Sequence, residues 1–84
     1  MNESEVTDVL RKYLQERILD TSDVEIEPET PLLEWGILNS LTTTRLVGFI
    51  REQYGIEIPM EEMVGGNFKD LRSISRLVVR LGGE

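Results

Sequence analysis

Apolar residues return at the helical period in three separate stretches of the chain, and that spacing limits the fold more than any other feature. Val6, Val9, Leu10, Tyr13, Leu14 and Ile18 stand three and four apart over residues 3–19, the pattern of an amphipathic helix. Asn2, with Glu5 three positions later, suits a capping box at its start, Asn taking the place of the usual Ser or Thr. Leu46, Val47, Ile50 and Tyr54 predict a second helix from about Ser40 to Tyr54, stopped by Gly55. Leu71, Ile74, Leu77 and Val78 predict a last helix from about Asp70 to Leu81. Between these two, "IEIP" reads as short and extended, because Pro59 disfavours helix at the residue before it. "MEEMV", residues 60–64, can form one short helix ended by Gly65 and Gly66.

These elements predict an all-α fold: a small antiparallel four-helix bundle of three longer helices and one short one. Residues 1–84 form a single domain in this reading, with no repeat, low-complexity tract or internal boundary. The expected core includes Val9, Leu10, Tyr13, Leu46, Val47, Ile50, Leu71, Ile74 and Leu77. The connection between the first two helices is about twenty residues long, and loops of that size tend to be functional. Val24 and Ile26 are its expected inward anchors, and "LLEW" can make a single turn. Leu32, Leu33, Ile37 and Leu38 are expected to pin it across the bundle, and Trp35, the only tryptophan, to anchor it there.

What the chain lacks restricts its chemistry. It has neither cysteine nor histidine, so the usual nucleophile–base pairs and the common zinc sites cannot be built. Residues 20–31 have the length of a calcium loop, but Glu25 stands where the turn glycine belongs and Pro31 where the closing Glu belongs. Neither GxxxxGK[ST] nor GxGxxG occurs. An enzyme is not expected. The formal charge of −7 argues against nucleic acid, which demands a surplus of Lys and Arg, and favours basic protein partners instead. The longest apolar runs are far short of the roughly 20 residues that span a bilayer, and no charged-then-apolar leader opens the chain. A soluble, cytoplasmic monomer is the expectation, bound neither to membrane nor to nucleic acid.

One serine stands out against this background. Ser40 lies where the long loop meets the second helix, after Gly36 and Asn39 and before Leu41. Serine is common as a plain helix cap. A helix N-terminus also favours an anion, through its free N–H groups and its dipole, and a place where something is attached is the other reading of this serine. Gly48, mid-helix, leaves two readings open as well: close approach of another chain, or packing against the loop.

"GILNSL" before an amphipathic helix, then "YGIEIP", then "NFKDLRSI" resembles the acyl and peptidyl carrier protein family over nearly the whole chain. The resemblance rests on the spacing of 19 residues from Ser40 to Pro59 within its apolar frame, more than on the serine motif alone. It implies a four-helix bundle whose serine carries a 4′-phosphopantetheine arm derived from coenzyme A, with cargo held as a thioester on the terminal thiol. Carried over, that serine is Ser40. The implied partners are a phosphopantetheinyl transferase, a loading enzyme (an adenylation enzyme or an acyltransferase), and downstream synthase or tailoring enzymes.

Two departures from the family pattern bear on partners. Asn39 stands where Asp is usual, keeping the shape and the capping carbonyl but losing the charge. Fatty-acid-type carriers show an acidic face on the second helix, whereas here it offers Thr42, Arg45, Gly48, Arg51 and Glu52. That points to a dedicated carrier in a specialised polyketide or nonribosomal peptide pathway, such as antibiotic biosynthesis. Asn39, Leu41, Arg45, Gly48 and Arg51 are the expected partner-docking residues. The alternative is an unmodified carrier-like adaptor that binds a basic protein.

Overall fold

The computed structural model describes residues 2–19, 25–63 and 65–82. Of the positions singled out above, Val24 and Val64 lie outside the described residues. Among the described residues all regular structure is helical: α1 Glu3–Tyr13, α2 Ser40–Tyr54 and α3 Leu71–Leu81, with a π turn at Leu14–Ile18 and 3-10 turns at Met60–Glu62 and Gly65–Phe68. The expected short fourth helix is thus realised as two 3-10 turns. Gly65 begins the second of them rather than closing a single helix.

Each helix starts and stops where local chemistry dictates. The Asn2 side-chain Oδ1 accepts the Glu5 N–H at 2.8 Å, and the Asn2 side-chain amide donates to the Glu5 carboxylate at 2.8 Å. The return bond of this capping box therefore runs to the side chain of Asn2 instead of its backbone. Gly55 closes α2 at φ +68, a left-handed conformation that glycine adopts without steric cost. Asp70 sits just outside α3 as its cap, its carboxylate accepting the Ser73 N–H at 2.8 Å.

The first helix departs from the expected α-helix over residues 3–19. It is α-helical only to Tyr13, and then Leu19 donates to the Leu14 carbonyl at 2.8 Å, five residues back. At α spacing Leu19 would stand about 140° round the axis from Leu14. The wider turn returns it over Leu14, so both face inward.

The core is drawn from all three helices and the segments between them. Val6, Leu10 and Leu14 come from the first helix, Leu46 and Ile50 from α2, and Leu71, Ile74, Leu77 and Val78 from α3. Loops add Ile26, Leu32, Ile37, Leu38 and Phe68, and the extended "IEIP" buries Ile56 and Ile58 while exposing Glu57 between them. Val9, Tyr13 and Val47 are half-buried at the margin instead of inside. Tyr13 has a reason to stay at the wet edge. Its ring stacks on Phe49 at 4.1 Å, and its hydroxyl donates to the Arg45 carbonyl at 3.3 Å.

α1 and α3 pack closest together, while α2 lies farther from both. At the α1–α3 contact the hydroxyls of Thr7 and the fully buried Ser75 share a 2.7 Å hydrogen bond, which satisfies both. At the other end of α2, burial pushes the Tyr54 hydroxyl pKa up, and Glu5 near the start of α1 adds to the shift.

The long loop is fastened to the start of α3. Leu32 donates to the Lys69 carbonyl at 2.8 Å, and Arg72 donates to the Pro28 carbonyl at 3.0 Å. The Leu32 carbonyl in turn accepts Ile37 and Leu38, at 2.9 and 3.2 Å. This fold-back, with Gly36 at φ +74, corrects two expectations. Leu32, Ile37 and Leu38 are buried, but the turn between them projects Leu33 outward at 48% exposure and Trp35 at 58%. Trp35 does not anchor the loop, because the backbone hub at Leu32 already does.

Candidate functional site

Asn39 is extended, at φ −142 and ψ −170, and Ser40 is the first residue of α2. The cap is Asn39. Its side-chain carbonyl accepts the N–H groups of Leu41 at 2.9 Å and Thr42 at 3.0 Å, and Thr42 Oγ1 accepts the Asn39 N–H at 2.8 Å. The same Thr42 hydroxyl donates to the Ile37 carbonyl at 3.0 Å, so the end of the loop and the first turn are locked together. The reading of Ser40 as a plain cap is corrected by this geometry: one residue further along, its hydroxyl is past the position from which a side chain can cap. The Asn39–Thr42 spacing was a capping-box signal in the sequence that went unread.

This arrangement leaves the Ser40 hydroxyl exposed, and among the described residues it has no hydrogen-bond partner. The Ser40 carbonyl is occupied, accepting the Thr44 hydroxyl at 2.8 Å. The expectation that free N–H groups await an anion here holds only in part, since those of Leu41 and Thr42 are taken by Asn39. The helix dipole remains, and the first turn of α2 contains no acidic side chain. Asn39 caps with a neutral amide where a carboxylate would repel a phosphate at Ser40. A phosphodiester on Ser40 fits these residues: the acceptor oxygen is accessible, its neighbours are already satisfied, and the first turn of α2 holds no like charge.

The other expected site residues divide by their surroundings. Leu41 is 69% exposed beside Ser40. At about 100° per residue Leu41 and Gly48 share a line along α2, with Arg51 towards the Ser40 side and Arg45 towards α1. Arg45 reaches across to the Arg17 carbonyl at 3.5 Å, at the end of the first helix. The Arg51 side chain is exposed and, among the described residues, makes no ion pair or hydrogen bond. A Cβ added at Gly48 would meet nothing within 4 Å, so packing against the loop does not explain that glycine. Sequence reasoning missed the exposed apolar side chains Leu33, Trp35 and Met60, the last 83% exposed. Apolar residues in a loop are read as anchors unless the turn that projects them is known.

The sequence profile of the family described as "Phosphopantetheine attachment site" matches residues 8–78. The chain is 32% identical over 72 residues to the "Probable acyl carrier protein PigG" of Serratia sp. (strain ATCC 39006), which covers 86% of this chain and 83% of that one. Among solved structures it is similar to a chain in one described as "Crystal structure of FAD-dependent dehydrogenase". That similarity has a TM-score of 0.79 and 31% identity, over 83% of this chain and 99% of that chain.

Proposed function

The chain belongs to the phosphopantetheine attachment family, and on that basis we propose that Ser40 is where its 4′-phosphopantetheine arm is attached. Members of the family are carriers rather than catalysts, and the covalent group they take is 4′-phosphopantetheine. The observation that carries the assignment to Ser40 is its exposed, unpartnered hydroxyl at the first position of α2, beside a cap that holds the turn rigid without using it. In the attachment reaction Ser40 Oγ bonds to the phosphorus of coenzyme A that bears the pantetheine. The pyrophosphate P–O bond breaks, adenosine 3′,5′-bisphosphate leaves, and the hydroxyl proton passes to a base of the transferase. The arm supplies a terminal thiol that holds an acyl or aminoacyl group as a thioester, chemistry that a chain without cysteine lacks.

In this reading residues 1–84 act as one carrier domain in the cytoplasm, where coenzyme A is at hand. It serves a specialised polyketide or nonribosomal peptide pathway, since Arg45 and Arg51 replace an acidic face on α2. The partners are the transferase, a loading enzyme and a downstream enzyme. Leu41, with Asn39 and Arg51 around it, is the surface such partners meet on reaching Ser40. The solved neighbour supports one class of downstream partner. Its chain is spanned to 99% by 83% of an 84-residue protein, so it is about 70 residues long. That is too short for the two βαβαβ halves of a dinucleotide-binding fold. A carrier-sized chain recorded with an FAD-dependent dehydrogenase supports a partner that removes two hydrogens from the carried group onto its flavin.

The test is intact mass after incubation with coenzyme A and a broad-specificity phosphopantetheinyl transferase. Wild type is expected to gain one arm and Ser40→Ala none, with the fold of both confirmed by circular dichroism. A Ser40→Ala protein that still gains mass overturns the assignment. A wild type that never gains mass leaves the unmodified adaptor as the reading.

A further inference from the structure

α3 carries Arg72, Arg76 and Arg80, each four residues from the next, and no acidic residue. Like charges at that spacing destabilise a helix. Lys69 precedes them, and Asp70 is the one acid in residues 65–83, so this segment stands at +3. The whole chain stands at −7, which leaves the remainder at −10. Two of these cations have local reasons. Arg80 lies in the last turn, where the helix dipole favours a cation, and it donates to the Glu62 carboxylate at 2.8 Å. Arg72 pairs with Glu29 at 3.7 Å. Lys69 and Arg76 have no such reason. Both are exposed, and among the described residues their side chains make no ion pair or hydrogen bond. Lys69 also sits at the N-terminal end of α3, where the dipole opposes a cation.

The cations meet around one concavity. It measures about 310 Å³ and opens between the 3-10 turn Gly65–Phe68 and α3. Asn67, Lys69, Ser73, Arg76 and Arg80 wall it, over the buried Leu77. One wall is set in advance: the Glu62 carboxylate that holds Arg80 also accepts the Asn67 amide at 3.2 Å. The Lys69 stem lies across Gly66, its Cδ 3.8 Å from where a Cβ there would stand. The nearby acid, Asp70, is turned to the Ser73 N–H at 2.8 Å, while the Ser73 hydroxyl has no partner among the described residues.

We propose that this concavity binds a compact phosphate-class anion. Guanidinium forks match phosphate oxygens, the lysine adds a point charge, and the serine hydroxyl adds a neutral donor. Size and charge both favour a small occupant. The volume is at the low end of the roughly 300–1,000 Å³ of clefts that hold small molecules. A nucleic acid or an acidic protein face would also lie against the acidic remainder of the chain. The molecule is only 23 × 21 Å across its shorter axes, two to three screening lengths of about 8–10 Å. An ion inside the concavity has the three cations as its nearest charges. The Lys69 carbonyl and the Arg72 N–H are also the points where the long loop is fastened. An anion bridging Lys69 and Arg76 braces that junction, and by linkage it stabilises the folded chain. None of this depends on attachment at Ser40.

The experiment titrates the ¹⁵N-labelled, unmodified chain with inorganic pyrophosphate and, in parallel, with glycerol 3-phosphate. Sodium chloride holds the ionic strength constant. Saturable amide shifts are expected at Gly66, Lys69, Ser73 and Arg76, with a rise in Tm. The tighter of the two probes tells a free anion from the phosphoryl end of a small metabolite. Arg76→Gln should weaken binding about tenfold, the scale of one charge-assisted hydrogen bond. Arg51→Gln, the same charge change on α2, should leave the affinity unchanged. Shifts that chloride alone reproduces, or that never saturate, overturn the proposal. Equal losses in Arg76→Gln and Arg51→Gln overturn it too, because general charge would then explain the binding. Saturation by a hexaglutamate peptide where neither phosphate probe saturates assigns the face to an acidic protein instead and also overturns it. If Arg76→Gln gives no dispersed spectrum, Lys69→Gln, with the same expected loss, takes its place.

Discussion

Asn39 and Thr42 cap each other: the Asn39 side-chain carbonyl takes the Thr42 N–H at 3.0 Å, and the Thr42 hydroxyl takes the Asn39 N–H at 2.8 Å. Together they satisfy the start of α2 and leave the serine between them unused. Asn39→Ala removes acceptors from two N–H groups and should cost about 1 kcal/mol of stability in urea titration. Asn39→Asp keeps an acceptor oxygen and should lie within a few tenths of a kcal/mol of wild type. Equal losses in the two variants would show that the cap contributes nothing.

Two neighbours on α2 should respond in opposite directions to alanine. Leu46 is fully buried, so Leu46→Ala should destabilise by about 2–5 kcal/mol, the range for a truncated core leucine. Gly48 faces open space, so Gly48→Ala should stabilise by up to about 1 kcal/mol through helix propensity alone. Thermal or urea unfolding reads both. A loss below half a kcal/mol for Leu46→Ala would mean that α2 is turned away from the core.

Alkaline pH should weaken the fold partly through Tyr54. Its pKa is raised in the folded protein by burial and then by Glu5. Below the ordinary tyrosine value near 10 both states are protonated, and the contribution is fully present. Above it the unfolded chain ionises first, so stability is lost as pH rises towards the folded pKa. Tyr54→Phe should flatten the fall in urea midpoint as pH rises above the ordinary tyrosine value near 10. An unchanged slope would assign the loss to other groups.

Partner choice should depend on Arg51 more than on Arg45. The Arg45 side chain is turned to the Arg17 carbonyl, whereas that of Arg51 is exposed without a partner among the described residues. If cognate partners offer a neutral or acidic patch, Arg51→Glu should slow loading or transfer roughly two- to fivefold at low salt, the scale of an exposed charge pair. The effect should fade as salt rises. It should also improve recognition by basic-patch fatty-acid synthase enzymes. Unchanged kinetics with both kinds of partner at low salt would remove Arg51 from partner selection.

The helices, and the place of Ser40 at the start of α2, were legible in the sequence because each is written in local terms. Asn39 and Gly55 bracket α2 by side-chain chemistry and backbone freedom, and the apolar spacing of α3 needs no distant partner. Trp35 and Leu33 were misread because hydrophobicity says that a residue can be buried, while the backbone turn decides whether it is. The fold-back on the Leu32 carbonyl is fixed by hydrogen bonds that leave no compositional trace. The π turn at Leu14–Ile18 escaped for a related reason, since its apolar residues satisfy the α period almost as well.

The fastening of the long loop to the start of α3 has a consequence for timing. A ribosome delivers Ser40 well before Lys69 and Arg72, whose backbone groups pair with Leu32 and Pro28. Until those residues emerge, the loop leading to the serine has no partner for its two backbone clasps, and the bond between distant segments must wait for the chain to return. On the proposed attachment at Ser40, a transferase that reads a rigidly held serine would meet its substrate only after Lys69 and Arg72 have emerged. An arm attached there would mark a chain whose last helix has already docked.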